Sequence, residues 1–165
     1  MINKTMVCKV IDFMELCVEK EIVISTAESC TGGLLSAYIT SLPGSSAIFD
    51  RGFVTYSNNA KNQILDISME LINKYGAVSS EICIEMVKRA LQNEANLSIS
   101  ITGIAGPTSD DTVKKIGLVY IATNYKGHII CKEFNFGNIG RENIRNRSVL
   151  EAIKLAQENI LRLTV

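Results

Sequence analysis

The chain has 165 residues, 47% of them hydrophobic, enough to bury a sizeable core, so a single domain over 1–165 is expected. Its 17 basic and 17 acidic residues cancel, which argues against a general nucleic-acid binder, and no apolar run approaches a membrane span. The N-terminus lacks the basic, apolar, small-residue order of a signal peptide, so a cytoplasmic protein with neither nucleic-acid nor membrane partners is expected.

Residues 5–18 place Met6, Val7, Val10, Ile11, Met14, Cys17 and Val18 at three- and four-residue spacing, which predicts an amphipathic helix. The run 22–26 predicts the first buried strand, and Gly32-Gly33 then opens a helix to about Ser41 that Pro43-Gly44 ends. Residues 47–50 are ambiguous, whereas 52–56 read as a strand rich in aromatic and β-branched types. Asn58-Asn59 is expected to turn or cap a helix carrying Lys61, Ile64 and Leu65, and Ser68 begins a short one ended by Gly76. Ser79 or Ser80 caps a helix expected over 81–95, with Ile82, Met86, Val87, Ala90 and Leu91 inward. An apolar strand over 97–102 leads into Gly103-Ile104-Ala105-Gly106-Pro107, and 108–111 is a loop. Two further strands, 116–123 and 128–134, are joined across 124–127 as an antiparallel hairpin. A helix over 141–163 closes the chain, with Ile144, Val149, Ile153, Ala156, Ile160 and Leu163 as its inward stripe. This alternation predicts a three-layer α/β/α sandwich around a mixed, mostly parallel sheet with a terminal antiparallel hairpin.

Ligands of such sheets bind beyond the strand ends, where Ser29, Tyr56 and Thr102 fall. Ser29 sits at a strand-to-helix junction, and the N–H groups of Cys30, Thr31, Gly32 and Gly33 offer donors to a phosphate or a developing oxyanion. A serine nucleophile needs a base. The sole histidine, His128, begins an ordinary strand, so no Ser-His-Asp arrangement is available. Lysine serves as a base when burial or nearby cations bring its pKa toward neutrality. Lys61, near the head of its helix, is that candidate; the competing reading is a solvated lysine. Arg141 and Arg145 share one face near the start of the closing helix, where phosphate binding and a solvated charged face are both open for Arg141. Glu28 should point away from Ser29 and support it. The five cysteines show no Cys-x-x-Cys spacing, so reduced thiols and no metal or other cofactor are expected. The glycines fit neither a P-loop nor a dinucleotide-binding fingerprint.

Ala27-Glu28-Ser29-Cys30-Thr31-Gly32-Gly33, Gly44-Ser45-Ser46, the segment from Arg51 to Lys61, Gly76-Ala77-Val78-Ser79 and the segment from Ile99 to Pro107 together resemble the CinA C-terminal domain family. The resemblance implies the same sandwich and an amidohydrolase acting on nicotinamide mononucleotide (NMN). It makes Ser29 the nucleophile, Lys61 the base and Tyr56 a hydroxyl that orients the pair. Gly137 followed by Arg141-Glu142-Asn143-Ile144-Arg145 resembles a family segment, which favours Arg145 as a phosphate ligand, and Thr102-Gly103 as nucleotide contacts join it. A homodimer or larger homo-oligomer and the stand-alone form of the family are expected. The chain departs from the family at Thr108-Ser109-Asp110-Asp111 and Lys114-Lys115, where a glycine-rich run and a proline are common. An alternative of another class is a nucleotide-binding or regulatory domain of this fold without turnover, to which the altered loop lends support.

Overall fold

A computed structural model describes residues 4–109 and 113–163, so Asp110 and Asp111 of the expected loop lie outside the described residues. Five strands form one sheet in the order β2-β1-β3-β4-β5. β1 (Ile24–Glu28) is buried at every position and pairs in parallel with β2 (Phe49–Val54) and β3 (Leu97–Gly103). β4 (Leu118–Tyr125) runs antiparallel to β3, and β5 (His128–Asn135) antiparallel to β4, so only β4 opposes the common direction. The mixed, mostly parallel sheet and its terminal hairpin are therefore present.

Helices cover both faces. One layer holds α1 (Lys4–Glu19), α2 (Leu34–Thr40) and α6 (Arg141–Arg162); Val10, Phe13, Leu35, Ile39, Val149 and Ile153 pack there on Ile24, Ile99, Ile101 and Ile121. The other layer holds α3 (Asn58–Leu65), α4 (Met69–Tyr75) and α5 (Ser80–Ala90), whose Leu65, Ile72, Ile82 and Met86 cluster with Ala27. On that side β1 and β3 present hydroxyls: Ser25, Ser98 and Ser100 donate to the carbonyls of Ala90, Val87 and Cys83 at 2.6–2.7 Å. Strand 97–102, read from sequence as simply apolar, is thus apolar on one face and hydroxyl-bearing on the other. The small hydroxyl side chains let α5 lie close to the sheet while satisfying every donor they bury.

Several boundaries differ from the sequence reading, each for a local reason. β1 extends to Glu28 instead of Thr26, because its ladder to Val54 and Ile101 continues that far and brings Ser29 directly to the strand end. The ambiguous stretch before Gly52 joins β2 from Phe49 on. The cap of α3 is Ser57, whose side chain accepts from the Ala60 N–H at 3.0 Å, not Asn58 or Asn59. α5 stops at Ala90 rather than 95, since Leu91 is extended and Asn93 takes a positive φ that turns the chain toward β3. A two-residue turn, Lys126-Gly127, with positive φ at both positions, closes the hairpin more tightly than expected. Leu163 lies past the end of α6 and is 45% exposed, so the inward stripe ends at Ile160. His128 bonds through Nδ1 to Oδ1 of buried Asn159 at 2.9 Å, a structural contact at the far end of the hairpin.

Candidate active site

Ser29 leaves β1 with its N–H still held by the Ile101 carbonyl at 2.9 Å. The chain then turns sharply: Gly32 donates to the Ser29 carbonyl at 3.0 Å, and Gly32 and Gly33 both adopt positive φ before α2 begins at Leu34. Glu28, fully buried, accepts from the Leu35 and Ser36 N–H groups and from Ser36 Oγ at 2.7–3.0 Å. A carboxylate at this position consumes the first free donors of α2 and clamps the helix to the strand that carries Ser29. It acts as the supporting residue expected. The donors left without a partner among the described residues are the N–H groups of Cys30, Thr31 and Gly33; that of Gly32 is already spent on the turn.

Lys61 is the fourth residue of α3 and its side chain runs inward, 1% exposed. Its Nζ donates to Ser29 Oγ at 2.9 Å and to the Thr55 carbonyl at 2.8 Å. Thr55 is fixed in turn by donating its N–H to the Glu28 carbonyl at 2.9 Å, which continues the β1–β2 ladder past the strand end. Burial of the ammonium lowers the Lys61 pKa from 10.5 to about 8, with the neighbouring Cys30 a smaller opposing influence. About a tenth of such amines are neutral at pH 7. The solvated-lysine alternative is overturned: the amine is buried and held on a serine hydroxyl and a backbone carbonyl at two strand ends.

The pair opens into a cleft of about 640 Å³ whose walls include Cys30, Tyr56, Thr102, Gly103, Lys114 and Arg141. Three of its lining side chains are cationic, Lys61, Lys114 and Arg141, and among the described residues no carboxylate lines it. Burial pushes the Cys30 thiol up to about 12, so it is a neutral wall group rather than a competing nucleophile. Thr102 donates its hydroxyl to the Ala77 carbonyl at 2.7 Å, and a Cβ on Gly103 would lie 2.7 Å from the Leu118 carbonyl oxygen. Both shape the floor of the cleft.

Two of the expected site residues make their hydrogen bonds away from the Ser29–Lys61 pair. Tyr56 is 57% exposed and its hydroxyl accepts from Arg141 at 2.9 Å; among the described residues no hydrogen bond joins it to Ser29 or Lys61, and the Thr55 carbonyl holds the lysine. Arg145 turns away from the cleft and donates to the Thr31 carbonyl at 2.6 Å, bracing the turn from behind beside an adjacent depression lined by Leu34, Tyr38 and Asn146. Thr31, fully buried, likewise serves the turn rather than the cleft surface. Of the two arginines it is Arg141, anchored on the Gly106 carbonyl at 2.6 Å, that faces the cleft. Sequence reasoning passed over Lys114, read only as extra loop charge. Its Nζ donates to the Val78 carbonyl at 2.8 Å and lines the cleft; the helical and strand patterns that located the other residues do not reach into that loop.

The profile of the CinA C-terminal domain matches residues 9–160. A protein of Caldicellulosiruptor saccharolyticus provisionally named competence-damage inducible protein is 42% identical over 153 residues, which are 92% of this chain and 36% of that one. A Clostridium tetani protein of the same name is 41% identical over 145 residues, 87% of this chain and 35% of its own. The chain thus spans about a third of the length of the curated relatives it matches. Among solved structures, the competence/damage inducible protein CihA from Agrobacterium tumefaciens superposes with a TM-score of 0.92 at 36% identity, covering 97% of this chain and 98% of that one. A CinA superfamily protein from Klebsiella pneumoniae gives 0.91 at 28% identity, covering 95% and 98%.

Proposed function

The chain belongs to the CinA C-terminal domain family, and we propose that it is an amidohydrolase that converts NMN to nicotinic acid mononucleotide and ammonia. The observation that carries this reading is the 2.9 Å contact between Lys61 Nζ and Ser29 Oγ, buried and with the lysine pKa drawn down to about 8. Neutral Lys61 takes the hydroxyl proton as Ser29 Oγ attacks the carboxamide carbon, and the C=O electrons move to oxygen. Of the free N–H groups of the turn, that of Cys30, which lines the cleft, is the donor available to that oxyanion, worth about 3 kcal/mol where it is aimed correctly. Collapse returns the proton from Lys61 to the leaving nitrogen and releases ammonia. Water, deprotonated by the same lysine, then splits the acyl-enzyme and regenerates Ser29.

Three cationic side chains, with no carboxylate among the described lining residues, support an anionic substrate. Arg141, with its guanidinium on neutral acceptors, is the phosphate ligand in this reading, with Lys114 on the opposing loop. Ammonia release from NMN, measured for the parent and for Ser29→Ala and Lys61→Ala with their folding checked by circular dichroism, tests the proposal. Parent activity retained in both variants refutes the dyad. Saturable NMN binding by the parent with no ammonia formed would instead support the regulatory alternative.

A further inference from the structure

Away from the cleft, two thiols meet across three elements. Ser100 of β3, Ala122 of β4 and Cys131 of β5 are consecutive partners in the sheet, so their side chains form a row on the face that α5 covers. Cys83 of α5 sits over this row, its Sγ 3.3 Å from Ser100 Oγ and 3.7 Å from the Ser100 carbonyl oxygen. Alanine at the middle of the row leaves room beside Cys83, and Cys131 packs into the same cluster from the other side. The two cysteines differ in access. Cys83 is fully buried, whereas Cys131 is half-buried on β5, the outer strand of the sheet.

We propose that Cys83 and Cys131 form an oxidative modification site, closing to a disulfide that ties α5 to β5 when the protein meets a peroxide. Contact with the Cys83 thiol favours the Cys131 thiolate, while burial holds the Cys83 thiol protonated. Cys131 sulfur attacks the peroxide O–O bond and becomes a sulfenic acid as water departs. Cys83 sulfur then attacks the sulfenic sulfur, its proton leaves with the displaced hydroxyl as a second water, and the S–S bond forms. Overall two thiols are oxidised by two electrons and one hydrogen peroxide is reduced to two waters. Rotation of the Cys83 side chain from Ser100 toward Cys131 is the motion required, and the hydroxyl of Ser100 keeps its own bond to the Cys83 carbonyl throughout. A tie at Cys83 also fixes the first turn of α5, whose cap Ser79 follows the cleft-wall residues Ala77 and Val78.

The test is treatment of the full chain with a small excess of hydrogen peroxide, followed by intact mass, thiol counting after denaturation and a non-reducing peptide map. The expected result is a loss of about 2 Da, a fall in free thiols from five to three, one cross-linked peptide joining Cys83 to Cys131, and full reversal by dithiothreitol. Cys131→Ser should show no loss of 2 Da under the same treatment. The proposal is overturned if the parent gains oxygen at Cys131 while Cys83 remains alkylatable, if the cross-link joins other cysteines or none forms, or if Cys131→Ser still loses two hydrogens. Because the peptide map is read on the parent, a variant that fails to fold does not rescue the idea.

Discussion

The pH dependence of turnover follows from where Lys61 sits. With its pKa lowered to about 8 by burial, the neutral fraction that can accept the Ser29 proton is about 1% at pH 6, about 9% at pH 7 and about 50% at pH 8. The rate constant kcat/KM reports the free enzyme. It should therefore climb about tenfold per pH unit up to pH 7, rise about fifty-fold in all between pH 6 and pH 8, and flatten above about pH 9. An ordinary lysine at 10.5 would keep the slope to the end of the accessible range. The same step should be absent from binding of a non-hydrolysable NMN analogue once the phosphate titration is allowed for, since Lys61 touches Ser29 and Thr55, not the rim. Initial ammonia release at sub-saturating NMN, in buffers of constant ionic strength, measures the profile. A curve flat from pH 6 to 9, or one still rising log-linearly at pH 10, refutes the assignment of Lys61 as a desolvated base.

Other consequences are more local. Lys61→Ala should lower kcat by about 10² to 10⁴, and adding Ser29→Ala to it should cost little more, because the two act as one unit. Arg141→Ala removes the cation anchored on Gly106 and Tyr56 and should act through KM, lowering kcat/KM about ten- to a hundred-fold for the phosphorylated substrate and hardly at all for nicotinamide riboside. Gly103→Ala places a methyl 2.7 Å from the Leu118 carbonyl oxygen, which cannot move without breaking the β3–β4 ladder; a loss of about 1–3 kcal/mol in urea unfolding is expected. Lys61→Met tests linkage. Below pH 8 both states of the parent hold the lysine proton and the fold carries the full burial penalty; between about 8 and 10.5 only the unfolded chain holds it. Parental stability relative to Lys61→Met should thus rise by about 3 kcal/mol across that window in paired urea titrations.

The layers, strand order of appearance and helix count were legible because each buried element carries its period in its residues. α1 and α6 could be read from apolar spacing, α4 from its capping Ser68, and the hairpin from the short connection over 124–127. Boundaries were less legible where two signals compete. The helical pattern of α5 runs on into Leu91, yet the chain must turn back to pair Leu97 with Ile24, and that long-range demand ends the helix at Ala90. The sequence reads β3 as simply apolar and passes over its serines, although tertiary contact makes them the seats of α5. Such hydroxyl-to-carbonyl bonds join residues far apart in the chain, so no local window contains both partners.

For the candidate site, residue type was legible and direction was not. Ser29 and Lys61 both lie at strand-to-helix junctions, and that shared position is what brings them to 2.9 Å. Helical spacing puts Arg141 and Arg145 on one face, but a face is wide: four residues along α6 suffice to move a guanidinium from the mouth of the cleft to the back of the Ser29 turn. Tyr56 joins the pair only through the family resemblance, which does not say where the side chain points. Alternation across the strand end sends the side chains of Thr55 and Tyr56 to opposite sides, and a backbone carbonyl, which no sequence pattern advertises, holds the lysine. The assignment of the base therefore rests on burial. Around that buried lysine, Glu28, Thr55 and Ile101 position the pair through their backbone atoms or through a clamp on α2. Weakening that clamp with Glu28→Gln, which keeps size but leaves one acceptor where two served three donors, should lower kcat about tenfold at nearly constant KM. An equal fall in a Lys61-independent property such as nucleotide affinity would assign Glu28 to general folding instead.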